Sequence, residues 1–330
     1  MRAVYIEEFG SPDRLTIRQV PDPRAPSTDE VLVRVYAAGL NRADLLQVLG
    51  LYPPPAGYSP NIPGLEFAGE IAATGDGVND WSIGDRVFGI TAGEAQAEYL
   101  LSHRSLLTHI PPSLSFTEAA AIPEAFITAH DAVFTLGLLK TEETLLIHAV
   151  GSGVGLAALQ LAKAKGAHVI GTSRTPEKLD KCKLFGLDVP IIADEGSDIA
   201  KAVKEHTSDR GADVILDLVG AAYFLQNLAS LASKGRLILV GLTSGATAEF
   251  NLALALSKRA TIIGTVLRAR PVEEKAQATQ MFARDVVPLL SSGGLKPNLD
   301  RVFDADDVRG AYRYLASNES FGKVVLEFSS

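Results

Sequence analysis

The stretch Thr144–Gly155, with the sequence TLLIHAVGSGVG, constrains the fold of this chain more than any other segment. Its first half is apolar and is typical of a buried strand in a parallel sheet. Gly151, Gly153 and Gly155 follow, and a helical pattern starts directly after them. A strand, a glycine turn and a helix N-terminus place backbone N–H groups against a pyrophosphate, which a Cβ in the turn would hold away. An ordinary strand-to-helix turn is the alternative, because a glycine motif alone does not decide.

The rest of this half of the chain favours nucleotide binding. A second strand pattern, His168–Ser173, comes one helix later, and further strand patterns cover Val214–Val219, Arg236–Gly241 and Thr261–Arg268. The alternation of strand and helix patterns from 144 to 268 predicts a doubly wound parallel sheet of six strands. Residues 1–110 instead show short strands with frequent glycine turns, which predict a mostly β unit in the form of a partly open barrel. We therefore predict an α/β protein of about two domains in 330 residues.

The composition excludes several classes of partner. The formal charge of −8 gives no electrostatic reason to expect nucleic acid or an anionic membrane as the main partner. No apolar run reaches membrane-spanning length, and the N-terminus is typical of a strand and not of a signal peptide. The single cysteine, Cys182, excludes an internal disulfide and a cysteine-rich metal site. A cytoplasmic location is expected.

Several short motifs occur in one order along the chain. They are GLNRAD (Gly39–Asp44), GLYPPP (Gly50–Pro55), PGLEFAG (Pro63–Gly69), AAAIPE (Ala119–Glu124), SGVG (Ser152–Gly155) and GKVVLE (Gly322–Glu327). With them, the chain resembles the zinc-free quinone oxidoreductase (zeta-crystallin-like) family of the medium-chain dehydrogenase/reductase superfamily. The resemblance implies a GroES-like, mostly β catalytic domain and a Rossmann domain. It places the first part of the catalytic domain at 1–123, the Rossmann domain at 124–267, and the return to the catalytic domain at 268–330, with a linking helix over 268–294.

No metal is expected. A catalytic zinc needs about three protein ligands from cysteine, histidine or carboxylates. Zinc-dependent relatives place a cysteine where this chain has Leu40 or Asn41, and a histidine where it has Leu65. The six histidines of the chain show no close pair in the sequence. Glu66 is accordingly interpreted as structural.

The resemblance assigns catalytic roles to three residues. Asn41 would place its amide near the nicotinamide or the quinone oxygen, Tyr52 would line the acceptor pocket or donate to the developing oxyanion, and Thr128 would position the nicotinamide. From the residues alone, Asn41 is equally well explained as a helix cap, Thr128 as a buried helical threonine, and Tyr52 as a packing residue.

The choice of cofactor depends on the end of the second strand of the sheet. An NAD enzyme usually carries a carboxylate there, whereas this chain has Thr172, Ser173 and Arg174, with Lys178 one helical turn later. Hydroxyls, a guanidinium and an ammonium suit the 2′-phosphate of NADPH. Solvated surface charge is the alternative explanation of Arg174 and Lys178. A tyrosine that also contacts this phosphate in the family is replaced by Ile192-Ala193.

The remaining predicted cofactor contacts lie in loops at the ends of strands. They are Gly151, Ser152, Gly153, Val154 and Gly155 in the glycine turn; Gly220, Gly241, Leu242 and Thr243 in later loops; Thr265, Val266 and Leu267 after the sixth strand; and Lys323 near the end of the chain.

Together these features predict an NADPH-dependent quinone oxidoreductase. Two alternatives stay open: an NADPH-dependent alkenal or enone reductase on the same fold, and a nucleotide-binding protein with a sensing or structural role. The apolar sixth strand predicts a homodimer, because an apolar edge strand needs to be covered.

Overall fold

The computed structural model describes residues 1–328 and divides the chain into two compact units. Residues 1–127, with 267 to the C-terminus, form the first, called here the β-rich unit; residues 128–266 form the second, called the parallel-sheet unit. The predicted boundaries at 123 and 267 lie within four residues of these limits. No helix in the described part of the chain is long and apolar enough to cross a membrane.

The strands follow one another in this order: β1 (Arg2–Ile6), β2 (Leu15–Gln19), β3 (Glu30–Leu40), β4 (Glu66–Thr74), β5 (Arg86–Ile90), β6 (Tyr99–His103), β7 (Leu107–His109), β8 (Thr144–Ile147), β9 (His168–Ser173), β10 (Val189–Ile192), β11 (Ala212–Asp217), β12 (Leu231–Leu239), β13 (Thr261–Gly264), β14 (Leu299–Asp304) and β15 (Lys323–Glu327). The α-helices are α1 (Arg42–Val48), α2 (Phe116–Ala119), α3 (Pro123–His130), α4 (Gly153–Ala164), α5 (Pro176–Lys183), α6 (Ile199–His206), α7 (Phe224–Ser230), α8 (Leu252–Lys258), α9 (Val272–Asp285), α10 (Val287–Ser291) and α11 (Val308–Ser317).

The β-rich unit is built on a seven-stranded sheet. Its order is β14-β15-β3-β4-β5-β7, with β6 also paired to β3. Val31, Val33 and Val35 of β3 alternate into the core, as a strand with one buried face requires. β1 and β2 pair antiparallel with each other. At the end of the chain β14, α11 and β15 follow one another, and β15 pairs antiparallel with β3.

The parallel-sheet unit confirms the predicted six-stranded parallel sheet. The strand order is β10-β9-β8-β11-β12-β13, and every pair is parallel. All four residues of β8 are buried, which explains its unbroken apolar sequence. The chain reverses its direction of winding between β8 and β11, and ligands of such sheets bind outside the strand ends at this point.

Two predicted elements differ in length from those observed. The sixth strand ends at Gly264 and not at 268, because its partner β12 ends at Leu239, opposite Gly264. The predicted linking helix is broken into α9 and α10, and Pro288, which has no N–H to donate, lies in the first turn of α10.

Candidate active site

A buried polar cluster surrounds Lys323 in the β-rich unit. The Lys323 ammonium lies 2.6 Å from the Leu40 carbonyl oxygen, 2.6 Å from Asn41 Oδ1 and 2.5 Å from Glu66 Oε1. Lys323 is 4% exposed and Glu66 is fully buried. The three segments meet because β15 and β4 are the two neighbours of the end of β3, with Val324 opposite Leu40 and Glu66 opposite Gly39.

The Asn41 amide is held in one orientation by this cluster. Its Nδ2 donates to Glu66 Oε1 at 2.8 Å, while its Oδ1 accepts from Lys323. An ammonium can only donate and a carboxylate can only accept, so the two partners fix which end of the amide faces each of them. Asn41 itself is half-buried. The predicted catalytic residue is therefore accessible, and its support is buried.

Asn41 is the N-cap residue of α1, and Asp44 completes the cap from the first turn of the helix. Asp44 Oδ2 accepts the N–H of Asn41 at 2.8 Å, and its Oδ1 accepts the N–H of Gly64 at 3.0 Å. Burial raises the pKa of Asp44 to about 6, although these hydrogen bonds and the charges of Lys323 and Arg268 act to lower it. Asp44 thus joins the start of α1 to the loop before β4.

Arg268 holds the loop that carries Tyr52. The buried guanidinium donates to the Ala92 carbonyl at 2.8 Å, to the Tyr52 carbonyl at 3.0 Å and to Gln47 Oε1. Its Cζ also lies 5.1 Å from the centroid of the Tyr52 ring, within cation–π range. Burial raises the pKa of Tyr52, opposed by Arg268, so its phenol remains a donor. The sequence did not single out Arg268; a charged residue at the end of an apolar strand was the available signal.

Glu124 is a second residue that the sequence did not single out, although it ends the motif AAAIPE. Its backbone N–H donates to Glu66 Oε2 at 2.9 Å, and its side chain is half-buried. Burial and then the charge of Glu66 raise the pKa of Glu124 to about 8, against the opposing charge of Lys323. Asp44, Arg268 and the buried Lys275 of α9 also act on it. Its carboxyl group is consequently mostly protonated at neutral pH.

Replacing Glu124 by glutamine is expected to flatten the pH dependence of stability between pH 4.5 and about 8. The folded carboxyl keeps a proton that the unfolded chain releases, so the free energy of unfolding falls as the pH rises through this window. The free energy of unfolding falls by at most about 1.4 kcal/mol per pH unit, and the partial exposure of the Glu124 carboxyl reduces this value. Urea unfolding across the window measures it, with the exposed Glu319→Gln as control. An unchanged slope in Glu124→Gln would contradict the raised pKa.

In the parallel-sheet unit, the predicted glycine turn forms the N-terminus of α4. Ser152 caps this twelve-residue helix, and its Oγ accepts the N–H of Gly155 at 3.2 Å. A Cβ at Gly155 would lie 2.6 Å from the Ala149 oxygen and 2.7 Å from the Val150 oxygen, so only glycine fits. Ser152, Gly153 and Val154 are half-buried. A close turn with a helix N-terminus in reach fits a pyrophosphate.

A buried polar network joins the carboxyl ends of β8, β9 and β11. His148 Nε2 lies 2.5 Å from Asn227 Oδ1, and Asn227 Nδ2 donates to Asp217 Oδ2 at 2.9 Å. The other ring nitrogen, Nδ1, lies 2.9 Å from Thr172 Oγ1. The Asp217 carboxylate can only accept, so Asn227 turns its Nδ2 towards Asp217 and its Oδ1 towards His148. A neutral His148 therefore carries its proton on Nε2 and accepts the Thr172 hydroxyl on Nδ1. Burial lowers the pKa of His148, in keeping with a neutral ring.

This network changes the interpretation of Thr172 and gives Asp217 a structural role. Thr172 is 1% exposed and its hydroxyl proton is committed to His148, so the hydroxyl predicted to contact the cofactor points into the protein. Asp217 Oδ1 accepts the N–H groups of Val219 at 2.8 Å and Gly220 at 2.9 Å, a structural role at the strand end. The sequence did not indicate His148 or Asn227 as parts of the site.

Of the other residues predicted to select the cofactor, Arg174 lies at a groove of about 680 Å³. Arg174 is exposed and lines it, together with Tyr223. The same groove is also lined by three carboxylates that were not predicted to lie there, Asp194, Glu195 and Asp198. Ser173 is buried and its Oγ accepts the N–H of Thr175 at 3.1 Å; Lys178 is half-buried in α5.

The remaining predicted residues are divided between the units. Gly220, Gly241, Leu242, Thr243, Thr265 and Val266 lie in loops after β11, β12 and β13. Thr128 lies half-buried in α3 and is the first residue of the parallel-sheet unit. Leu267 and Lys323 belong to the β-rich unit, and both are buried. All three donors of Lys323 are used by protein acceptors, so its predicted contact with the cofactor is not supported by this geometry.

Among residues 1–328 there is no group of three or more histidine, cysteine, aspartate or glutamate side chains that could hold a metal ion. In the cluster of Asp44, Glu66 and Glu124, the positive charges come from Lys323 and Arg268. The absence of zinc from the chemistry stays a prediction.

Two family models match the chain. The one described as "Alcohol dehydrogenase GroES-like domain" matches residues 27–131, and the one described as "Zinc-binding dehydrogenase" matches residues 153–284. With the glycine turn and the six-stranded parallel sheet, these matches define a medium-chain dehydrogenase/reductase, an oxidoreductase that uses a nicotinamide cofactor.

Individual relatives narrow this class. The chain is 31% identical to the quinone oxidoreductase of Homo sapiens over 328 residues, covering 99% of this chain and 97% of that protein. Its structure is similar to Escherichia coli quinone oxidoreductase complexed with NADPH, with a TM-score of 0.90 at 27% identity, covering 99% of this chain and 100% of that one. It is also similar to the CurK enoyl reductase, with a TM-score of 0.88 at 27% identity and 99% of each chain covered. The chain belongs to the quinone oxidoreductase family of the medium-chain dehydrogenase/reductases.

Proposed function

We propose that this protein catalyses the NADPH-dependent reduction of a quinone without zinc. The observation that carries the proposal is the half-buried Asn41 amide, held by Lys323 and Glu66 in a site whose positive charges belong to Lys323 and Arg268. The full-length similarity to quinone oxidoreductases supports the acceptor class. NADPH supplies a hydride, or electrons in sequence, when bound.

The chain's own residues bind, orient and hold protons. Asn41 has one Nδ2–H beyond the one given to Glu66, and it donates to a carbonyl oxygen of the acceptor. Tyr52, with its loop fixed by Arg268, lines the acceptor pocket as a second donor. Burial raises the pKa of Glu124 to about 8, so this residue holds a proton at neutral pH beside the Glu66 carboxylate. Thr128 positions the nicotinamide.

The test of the proposed function is the loss of NADPH absorbance with an ortho-quinone, a para-quinone and an α,β-unsaturated aldehyde, each repeated with NADH. Turnover of a quinone supports the proposal. Turnover of the aldehyde alone moves the function to the enone reductase, the second candidate, which the similarity to an enoyl reductase favours. Tight binding of NADPH with no turnover of any acceptor would indicate a sensing or structural role.

For the cofactor, Arg174→Ala is expected to raise the KM for NADPH about tenfold and to leave the KM for NADH unchanged. A charge-assisted hydrogen bond contributes about 1.5–3 kcal/mol, and the exposure of Arg174 reduces this towards the ~1.4 kcal/mol that corresponds to tenfold. Arg210→Ala, an exposed arginine outside the groove, is the control. Equal losses with both cofactors would contradict the assignment of the 2′-phosphate to Arg174.

We also propose a homodimer that pairs β13 with its copy. Within residues 1–328, β13 pairs with β12 alone, and Leu252 and Leu256 of α8 are 68% and 76% exposed. The N–H of Thr265 donates to Leu239 of β12, so the neighbouring N–H of Gly264 faces the open edge. Gly264→Pro is therefore expected to give a folded monomer by sedimentation velocity, with Gly264→Ala, which keeps the N–H and meets no atom within 4 Å, as control. A dimer that survives Gly264→Pro would exclude this edge as the interface. Separately from the dimer, we propose a cytoplasmic location for the protein.

A further inference from the structure

We infer that Lys323 and Glu66 are positioning residues that make the Asn41 amide a dedicated hydrogen-bond donor, so that the site binds its substrate through a carbonyl oxygen. This inference rests on the proposed function and adds to it what orients the Asn41 donor and why two buried charges are kept beside it. It also replaces the predicted contact of Lys323 with the cofactor.

The Lys323 ammonium has its three hydrogens directed at three acceptors. They are the Leu40 carbonyl oxygen at 2.6 Å, Asn41 Oδ1 at 2.6 Å and Glu66 Oε1 at 2.5 Å. With the side chain 4% exposed, no hydrogen is left for a ligand. The lysine acts on the site only through the groups it holds.

The Glu66 carboxylate is fixed on both oxygens. Oε1 accepts from Lys323 and from Asn41 Nδ2, and Oε2 accepts the backbone N–H of Glu124 at 2.9 Å. Gly39 makes room for it, since a Cβ at that position would lie 2.4 Å from Glu66 Oε1. The carboxylate cannot turn away without leaving a buried donor unpaired.

These contacts determine which group of the Asn41 amide is left for a substrate. Its Oδ1 is occupied by a cation, and one Nδ2–H is given to a carboxylate, so the outward-facing group is the second Nδ2–H. Without these partners the amide could rotate by half a turn and present its oxygen instead. A site that offers a donor binds a quinone or enone carbonyl, and it disfavours an alcohol that must donate its own proton at that position.

The first experiment is a mutant cycle that separates positioning from stability. Lys323→Met with Glu66→Gln removes the ion pair without leaving a buried charge, and it is combined with Asn41→Ala. The kcat/KM for a para-quinone is expected to fall at least tenfold in the pair variant. In the Asn41→Ala background the pair is expected to have no further effect, because it acts through that amide. Additive losses, or an unchanged kcat/KM in the pair variant, would overturn the inference. Lys201→Met with Glu205→Gln, an exposed pair, is the control.

The second experiment does not depend on turnover, so it distinguishes a failure of this inference from a failure of the proposed function. In the native protein the two side-chain amide protons of Asn41 are expected to have widely separated NMR shifts, because one is bonded to a carboxylate. In the pair variant the separation is expected to collapse towards that of a solvent-exposed asparagine. The same separation in both proteins would overturn the positioning role even if quinone is reduced.

Discussion

Replacing Asn41 by alanine is expected to lower kcat/KM for a quinone about 100-fold, the loss typical of removing one preorganised donor to a developing oxyanion. The effect is large because the donor is held in place before the substrate arrives. The Asn41 amide is oriented by a fully buried carboxylate and a lysine that is 4% exposed, so it needs no reorganisation as charge develops.

The measurement is steady-state turnover of a para-quinone with NADPH, with the binding of NADPH followed separately by fluorescence. The expected loss lies in the reaction with the acceptor, and NADPH binding is expected to change little. Asn79→Ala, an exposed asparagine of the same unit, is the matched control. If Asn41→Ala keeps more than half of the native kcat/KM, the amide is not a donor in the transition state.

The second large effect concerns stability. Replacing Lys323 by methionine is expected to lower the free energy of unfolding by about 3–5 kcal/mol, the range seen when one partner of a buried ion pair is removed. Glu66 is fully buried, and its Oε1 lies 2.5 Å from the ammonium, so the single variant leaves an uncompensated carboxylate in the core.

Urea unfolding at neutral pH measures this effect, and the addition of Glu66→Gln provides the internal check. The double variant is expected to recover most of the loss, because a neutral amide costs far less to bury than an unpaired charge. A loss below about 1 kcal/mol for Lys323→Met, as expected of an exposed pair, would contradict the buried pair.

Elements with a local pattern were predicted well from the sequence. The apolar run of β8 and the glycines after it indicated a strand and a nucleotide-binding turn. Both features depend only on residues that are close together in the chain. Asn41 was also indicated, but only through resemblance to a family; its own sequence context was equally consistent with a helix cap. In the structure Asp44 accepts the N–H of Asn41, and the Asn41 side chain is held by Lys323 and Glu66.

The surroundings of residues with distant partners were not predicted from the sequence. Lys323 was predicted to contact the cofactor, but it is bonded to Asn41, 282 residues away in the chain. Thr172 was predicted as a cofactor ligand from its place at a strand end, and its hydroxyl is instead directed at His148. Arg268 and Glu124 were not singled out, because their neighbours come from other elements.

The sequence by itself thus determined the parallel sheet and the position of the glycine turn, and the resemblance of its motifs to a family indicated the class of oxidoreductase. The sheet and the turn follow from periodicity and spacing within short segments, which the backbone geometry of strands and helices dictates. Only the tertiary structure decided which charges compensate one another and which donors remain for a ligand. That decision depends on the strand order β15-β3-β4, which brings three distant segments within hydrogen-bonding distance, and no local pattern encodes such an order.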